Sequence, residues 1–75
     1  MYSKTDAEMS KQLQTVAGKI RTMREAMAIS QKEMAMDTQT TVEQYQKLES
    51  GESDLSFSFI YKCAQRFGMD YALLY

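Results

Sequence analysis

The sequence predicts an all-α domain of five helices and no sheet. Three observations carry this: apolar residues recur at steps of three and four, capping residues punctuate those runs, and glycines close them. With 75 residues there is room for one domain with one modest core, whose stability is marginal without a partner.

Residues 1–8 are polar and unpatterned, which reads as a flexible lead-in to a single domain over 9–75. From there Leu13, Val16, Ala17, Ile20, Met23 and Met27 form one stripe of an amphipathic first helix. Ser30 fits as the N-cap of a second, short helix, with Glu33 three residues on completing a Ser-x-x-Glu capping box. Met34 and Ala35 are its inward residues. DTQTT interrupts the pattern, and Thr40 or Thr41 caps a third helix that carries Tyr45 and Leu48 on one face and stops at Gly51. Ser-Phe-Ser-Phe at 56–59 alternates as a strand would, but Phe59, Ile60, Cys63, Ala64 and Phe67 continue at helical intervals behind a Ser56 cap. A fourth helix is therefore expected there, ended by Gly68. Asp70 caps a fifth over DYALLY.

Composition argues against several functions. No apolar run nears the roughly 18 residues of a membrane span. MYSKTDAEMSKQ lacks the apolar stretch of a signal peptide, so a cytoplasmic protein with no membrane role is expected. One cysteine and no histidine leave no disulfide framework and no Cys/His metal site. Cys63 lies between apolar neighbours with no activating base in view and reads as a core residue. Glu33 and Asp37 share a helix face, which is expected to be solvated rather than an acid–base pair. Without a glycine-rich phosphate loop either, no enzyme activity and no cofactor are expected.

Helices two and three are joined by a connection too short for anything but a sharp corner. Such a pair can set its second helix across the major groove of DNA, though many short helix pairs are only structural. The residues sharpen this. Val16-Ala17-Gly18-Lys19-Ile20-Arg21-Thr22-Met23-Arg24, Ser30-Gln31-x-x-Met34-Ala35, Leu48-Glu49-x-Gly51 and Ala64-Gln65-Arg66-Phe67-Gly68-Met69 stand without a gap over residues 16–74. In motif and spacing they resemble the helix-turn-helix family of the lambda repressor and Cro. The resemblance implies a lambda repressor-like DNA-binding domain with a central helix-turn-helix, from a bacterial transcription regulator. It implies that Gln31 contacts a phosphate beside the helix N-terminal amides, and that Thr41, Val42 and Glu43 open the recognition helix toward base edges. Gln44 and Lys47 would lie along the same face, and Arg21 with the other basic residues of helix one would hold the backbone. Arg24 and Glu49 correspond to a family pair that ties helix one to the end of helix three.

The sequence departs from the family at the corner. Gln39 stands where glycine is usual, at a cost of roughly 1 kcal/mol if the backbone there is left-handed. Thr40 and Tyr45 replace the usual Val and Ile, and the Tyr45 hydroxyl needs a partner or an outlet to solvent. Charge departs further. Residues 1–29 carry +2, residues 30–55 carry −4 and residues 56–75 carry +1. The acidity therefore falls on the motif and on Glu52 and Asp54 just after it, where relatives often place basic residues against phosphate. Weak, strongly salt-sensitive binding by the monomer is expected, with useful affinity from a homodimer on a two-part operator or from an attached domain.

Residues 50–68 look like a subgroup of regulators in which a C-terminal cupin barrel follows this domain, which would make the chain an excised N-terminal domain. Phe59 and Tyr61 are either surface aromatics covered by a second subunit or domain, or part of a slightly larger core. The rival to DNA binding is an acidic helix-turn-helix module for protein interaction or dimerisation, using Phe59, Tyr61 and Tyr71, with little DNA affinity of its own.

Overall fold

The computed structural model describes the backbone of residues 4–75 and the side chains of residues 15–75. The described residues form four α-helices, α1 (Lys4–Ala26), α2 (Gln31–Asp37), α3 (Val42–Glu49) and α4 (Phe57–Phe67), then a 3-10 turn at Tyr71–Leu74. No strand occurs among them. The fifth helix is thus a single turn of 3-10 geometry, capped by Asp70, whose Oδ1 accepts from the Ala72 amide at 2.9 Å. Four residues are too few to settle into α-helical hydrogen bonding.

α1 begins at Lys4, inside the stretch 1–8 expected to be a flexible lead-in. Residues 1–3 and the Leu13 side chain lie outside the described residues. KTDAE holds neither glycine nor proline, so a helix anchored by its packed later turns can extend back through it. Those later turns bury Val16, Ala17 and Ile20. Met27, expected on the same stripe, is 43% exposed, and Ile29 enters the core in its place. The helix has already ended: Ala28 turns left-handed at φ 56° and swings the chain inward after it.

All four helices end in the same way. An amide just past each helix reaches back five residues: Ile29 to Arg24, Thr40 to Ala35, Glu52 to Lys47 and Met69 to Ala64, at 2.9–3.0 Å. This closure needs one left-handed residue, supplied by Gly51 and Gly68 in α3 and α4, but by Ala28 and Gln39 in α1 and α2. Gly51 and Gly68 were readable as stops. Ala28 was not.

α4 packs against α1 and α2 with Phe59, Ile60, Cys63, Ala64 and Phe67 buried. Phe59 is a core residue, 6% exposed, with its ring centroid 5.9 Å from that of Tyr45. Of the two aromatics that were candidates for the surface, only Tyr61 is there, together with Phe57 one turn earlier. Both lie off the inward stripe. Burial pushes the Cys63 thiol up to about 12, which keeps it protonated and unreactive. Glu33 and Asp37 lie on an exposed face, as expected, and both carboxylates also meet Arg66 of α4, at 3.5 and 2.7 Å.

Candidate nucleic-acid interface

The corner between α2 and α3 is made by residues 38–41. Thr38 is buried and its hydroxyl donates to the Met34 carbonyl at 2.7 Å, closing α2 from inside. Gln39 is left-handed at φ 59°. Its side chain compensates in part, accepting from Lys62 of α4 at 2.8 Å. Thr41 then caps α3 with a full capping box: its Oγ1 accepts from the Gln44 amide at 3.0 Å, and its own amide donates to Gln44 Oε1 at 3.1 Å. The Ser30 cap of α2 is only half such a box. Its Oγ accepts from the Glu33 amide at 3.1 Å, but the Glu33 carboxylate is drawn to Arg66 instead of turning back.

α3 is aimed by its inward side. Tyr45 is fully buried, and Glu49, one turn on, is buried too. Arg24 of α1 grips Glu49 with a fork, Nε to Oε2 at 2.8 Å and Nη2 to Oε1 at 3.0 Å, while its Nη1 donates to the Ile29 carbonyl at 2.9 Å. Burial alone would raise the Glu49 carboxyl, but Arg24, joined by the nearby Tyr45 hydroxyl and Gln31 amide, outweighs it and holds the group below its ordinary range. The Tyr45 hydroxyl is buried with no partner in hydrogen-bonding geometry. Burial first, and the nearby Glu49 carboxylate second, keep this phenol protonated well above its usual range.

The outward face of α3 carries Glu43, Gln46 and Lys47, all exposed, with Val42 at its opening. Glu43 and Lys47 form an exposed pair at 4.0 Å, so the only cation on this face is partly offset. Between α1, α2 and α3 lies a polar cleft lined by Arg21, Arg24, Gln31, Gln46, Glu49 and Ser50. Arg21 is engaged with Glu25 at 2.8 Å on the exposed side of α1. Gln31 sits deeper, its Nε2 3.4 Å from Glu49 Oε1 and its Oε1 accepting from Gln46 Nε2 at 3.1 Å.

The sequence-derived candidates therefore divide. Arg21 and Gln31 come together at the cleft, beside the Arg24–Glu49 fork. Val42, Glu43 and Lys47 lie on the outward face, and Thr41 and Gln44 are engaged with each other as the cap. The residue that sequence reasoning missed is Gln46, which bridges the cleft and the outward face. Two signals could have found it: Thr41-x-x-Gln44 spells a capping box, and Glu43, Gln46 and Lys47 are spaced to share one face.

A short, capped helix standing on a sharp corner, fixed from behind and polar in front, can present side chains to a groove. Residues 17–75 match the model of a family described as a helix-turn-helix domain. The chain belongs to that family. No curated protein and no solved structure matches it. A helix-turn-helix domain is a DNA-binding architecture and not an enzyme family, and α2, the corner at 38–41 and α3 have the helix-turn-helix form. No helix among the described residues is long and apolar enough to cross a membrane.

Proposed function

We propose that this helix-turn-helix domain binds double-stranded DNA sequence-specifically as part of a cytoplasmic, bacterial-type transcription regulator. The observation that carries the reading is the mounting of α3. The part-buried Arg24–Glu49 fork fixes it to α1, a full box caps it, and Glu43, Gln46 and Lys47 face away from the core. α3 would lie in the major groove with Val42, Glu43, Gln46 and Lys47 toward base edges. Arg21 would hold backbone phosphate once it exchanges Glu25 for a phosphate oxygen.

The acidic motif limits what one copy can do, and the proposed remedy is a homodimer. Phe57, Tyr61, Tyr71 and Tyr75 form an exposed cluster, with centroids 5.0 Å apart for Phe57–Tyr71 and 6.1 Å for Tyr61–Tyr71. They are 54%, 43%, 39% and 50% exposed. At roughly 200 Å² per aromatic side chain this leaves on the order of 400 Å² uncovered, about half of one partner's share in a standard interface. The cluster lies on α4, on the 3-10 turn and on Tyr75 just after it, and neither element packs its backbone against α3. Two copies joined there would keep both recognition helices free for half-sites about 34 Å apart.

The same cluster, with the −4 charge of residues 30–55, favours a second reading, a protein-interaction module with little DNA affinity. Titration against pooled genomic fragments at about 50 and 200 mM salt separates the two. DNA binding predicts sequence-selective retardation at the lower salt that falls steeply at the higher and is abolished by Lys47→Ala. Retardation by neither monomer nor dimer would leave the interaction module.

A further inference from the structure

The hydrogen bonds that run from the Arg24–Glu49 fork to the outward face of α3 have a direction. Glu49 is held ionised, so it can only accept. Arg24 donates to both of its oxygens, and the Gln31 amide nitrogen is turned to Oε1 of the same carboxylate at 3.4 Å. Turning Gln31 over would set its carbonyl oxygen against a carboxylate, so Gln31 must offer its oxygen to the other side. Gln46 lies there and must therefore donate, which it does from Nε2 at 3.1 Å. The carboxylate thus sets the polarity of two glutamine side chains in series. Gln46 is exposed at the end of the chain, with Oε1 and the second hydrogen of Nε2 available to a ligand.

From this geometry we infer that Gln46 is the specificity-determining residue of the recognition helix and that it selects adenine over guanine. The inference rests on the DNA-binding reading above. In the major groove adenine offers a donor, N6–H, beside an acceptor, N7, which match an amide oxygen and an amide hydrogen together. Guanine offers two acceptors, O6 and N7, and sets one of them against the Gln46 oxygen. An unrestrained glutamine could turn its amide to donate to guanine instead. Gln46 cannot do so without breaking its bond to Gln31, and Gln31 cannot turn to follow because Glu49 only accepts. Gln31 and Glu49 are accordingly positioning residues: they decide which base is read without touching it.

The test is selection from a randomised duplex library with the wild-type chain, followed by affinity measurements on duplexes that carry adenine or guanine at each enriched position. One position in each half-site should favour adenine by about tenfold or more, within the range of one bidentate contact. Gln46→Ala should make that position degenerate. Gln31→Met keeps the bulk but removes the fixed acceptor, and should bring the adenine-to-guanine ratio toward one, whatever it does to absolute affinity. Thermal melting of each variant separates this from loss of fold, which weakens binding to both duplexes alike. Gln31→Met with an undiminished ratio, or Gln46→Ala with the wild-type motif, would overturn the inference while DNA binding stands. Enrichment of no sequence by the wild-type chain would overturn the DNA-binding reading, and this inference with it.

Discussion

Two arginines hold the α2–α3 unit, one from each side, with the same chemistry in different surroundings. Arg24 of α1 forks onto Glu49, with side chains 13% and 4% exposed. Arg66 of α4 reaches Asp37 at 2.7 Å and Glu33 at 3.5 Å, with Arg66 and Asp37 both 38% exposed. The distances are alike and the consequences are not. Behind α3, where Glu49 is buried and Arg24 nearly so, water replaces a lost partner poorly, so removing either member leaves a poorly solvated charge. Beside α2, water and salt already compete for every group. α3 is thus held by the unforgiving joint, and the flank of α2 by the forgiving one.

The largest effect should come from Glu49→Ala, which strands Arg24 and opens a gap behind α3. A loss of about 3–5 kcal/mol is expected by denaturant or thermal unfolding. For a chain of 75 residues that is much of the total stability. Glu49→Gln keeps the shape and loses the charge, so it should fall in between. The same joint predicts the acid limb of stability. The folded pKa of Glu49 lies below its ordinary value near 4.5, so its contribution is complete above that pH and is lost as pH falls through the folded value. Wild type should lose stability on acidification, and Glu49→Gln should show a flatter limb. Wild-type stability in Glu49→Ala would show that the fork carries no weight and that the two joints are equivalent.

Arg66→Ala sharpens the contrast from the other side. Its partners are exposed enough that the pair is worth about 0.2–1 kcal/mol, and less in high salt. The variant should melt within a few degrees of wild type, and the difference should shrink as salt is added. A loss near that of Glu49→Ala, insensitive to salt, would mean that burial does not separate the joints.

Much of this contrast was legible in the sequence, but not evenly. Glu49 stood out through the Leu48-Glu49-x-Gly51 block, and its pairing with Arg24 through spacing shared with a family. Nothing local marked Arg66 as the partner of Glu33 and Asp37, because the contact joins residues 29 and 33 positions apart. Periodicity placed the helices, and caps placed most of their ends. It left Phe59 open between the surface and a larger core, since a two-residue alternation and a helical stripe overlap there, and the structure takes the core. Gln46 was passed over for Gln44 because sequence alone treats both as polar residues of one helix. Thr41-x-x-Gln44 spells the box that takes up Gln44, but the bond from Gln46 to Gln31, 15 positions away, becomes visible only when the corner is formed.

The smallest expected effect tests whether the difference between the joints extends to the turns beside them. Each joint has a left-handed residue that is not glycine: Ala28 immediately before Ile29, whose carbonyl Arg24 binds, and Gln39 in the corner that α4 flanks. Both are exposed, and each bears the steric cost of a Cβ at positive φ. Ala28 has only a methyl group, so Ala28→Gly removes the cost without losing a contact, and even after the entropy that glycine adds to the unfolded chain it should stabilise by about 0.5–1 kcal/mol. Gln39→Gly removes the same cost but also the 2.8 Å bond from Lys62, and should change stability by only a few tenths. In a Lys62→Ala background, where that bond is already gone, Gln39→Gly should recover a gain like that of Ala28→Gly. Equal gains from both glycines in the wild-type background would show that the Lys62 bond contributes nothing. The corner would then bear its strain uncompensated, and only the Arg24 side of the motif would hold α3 in place.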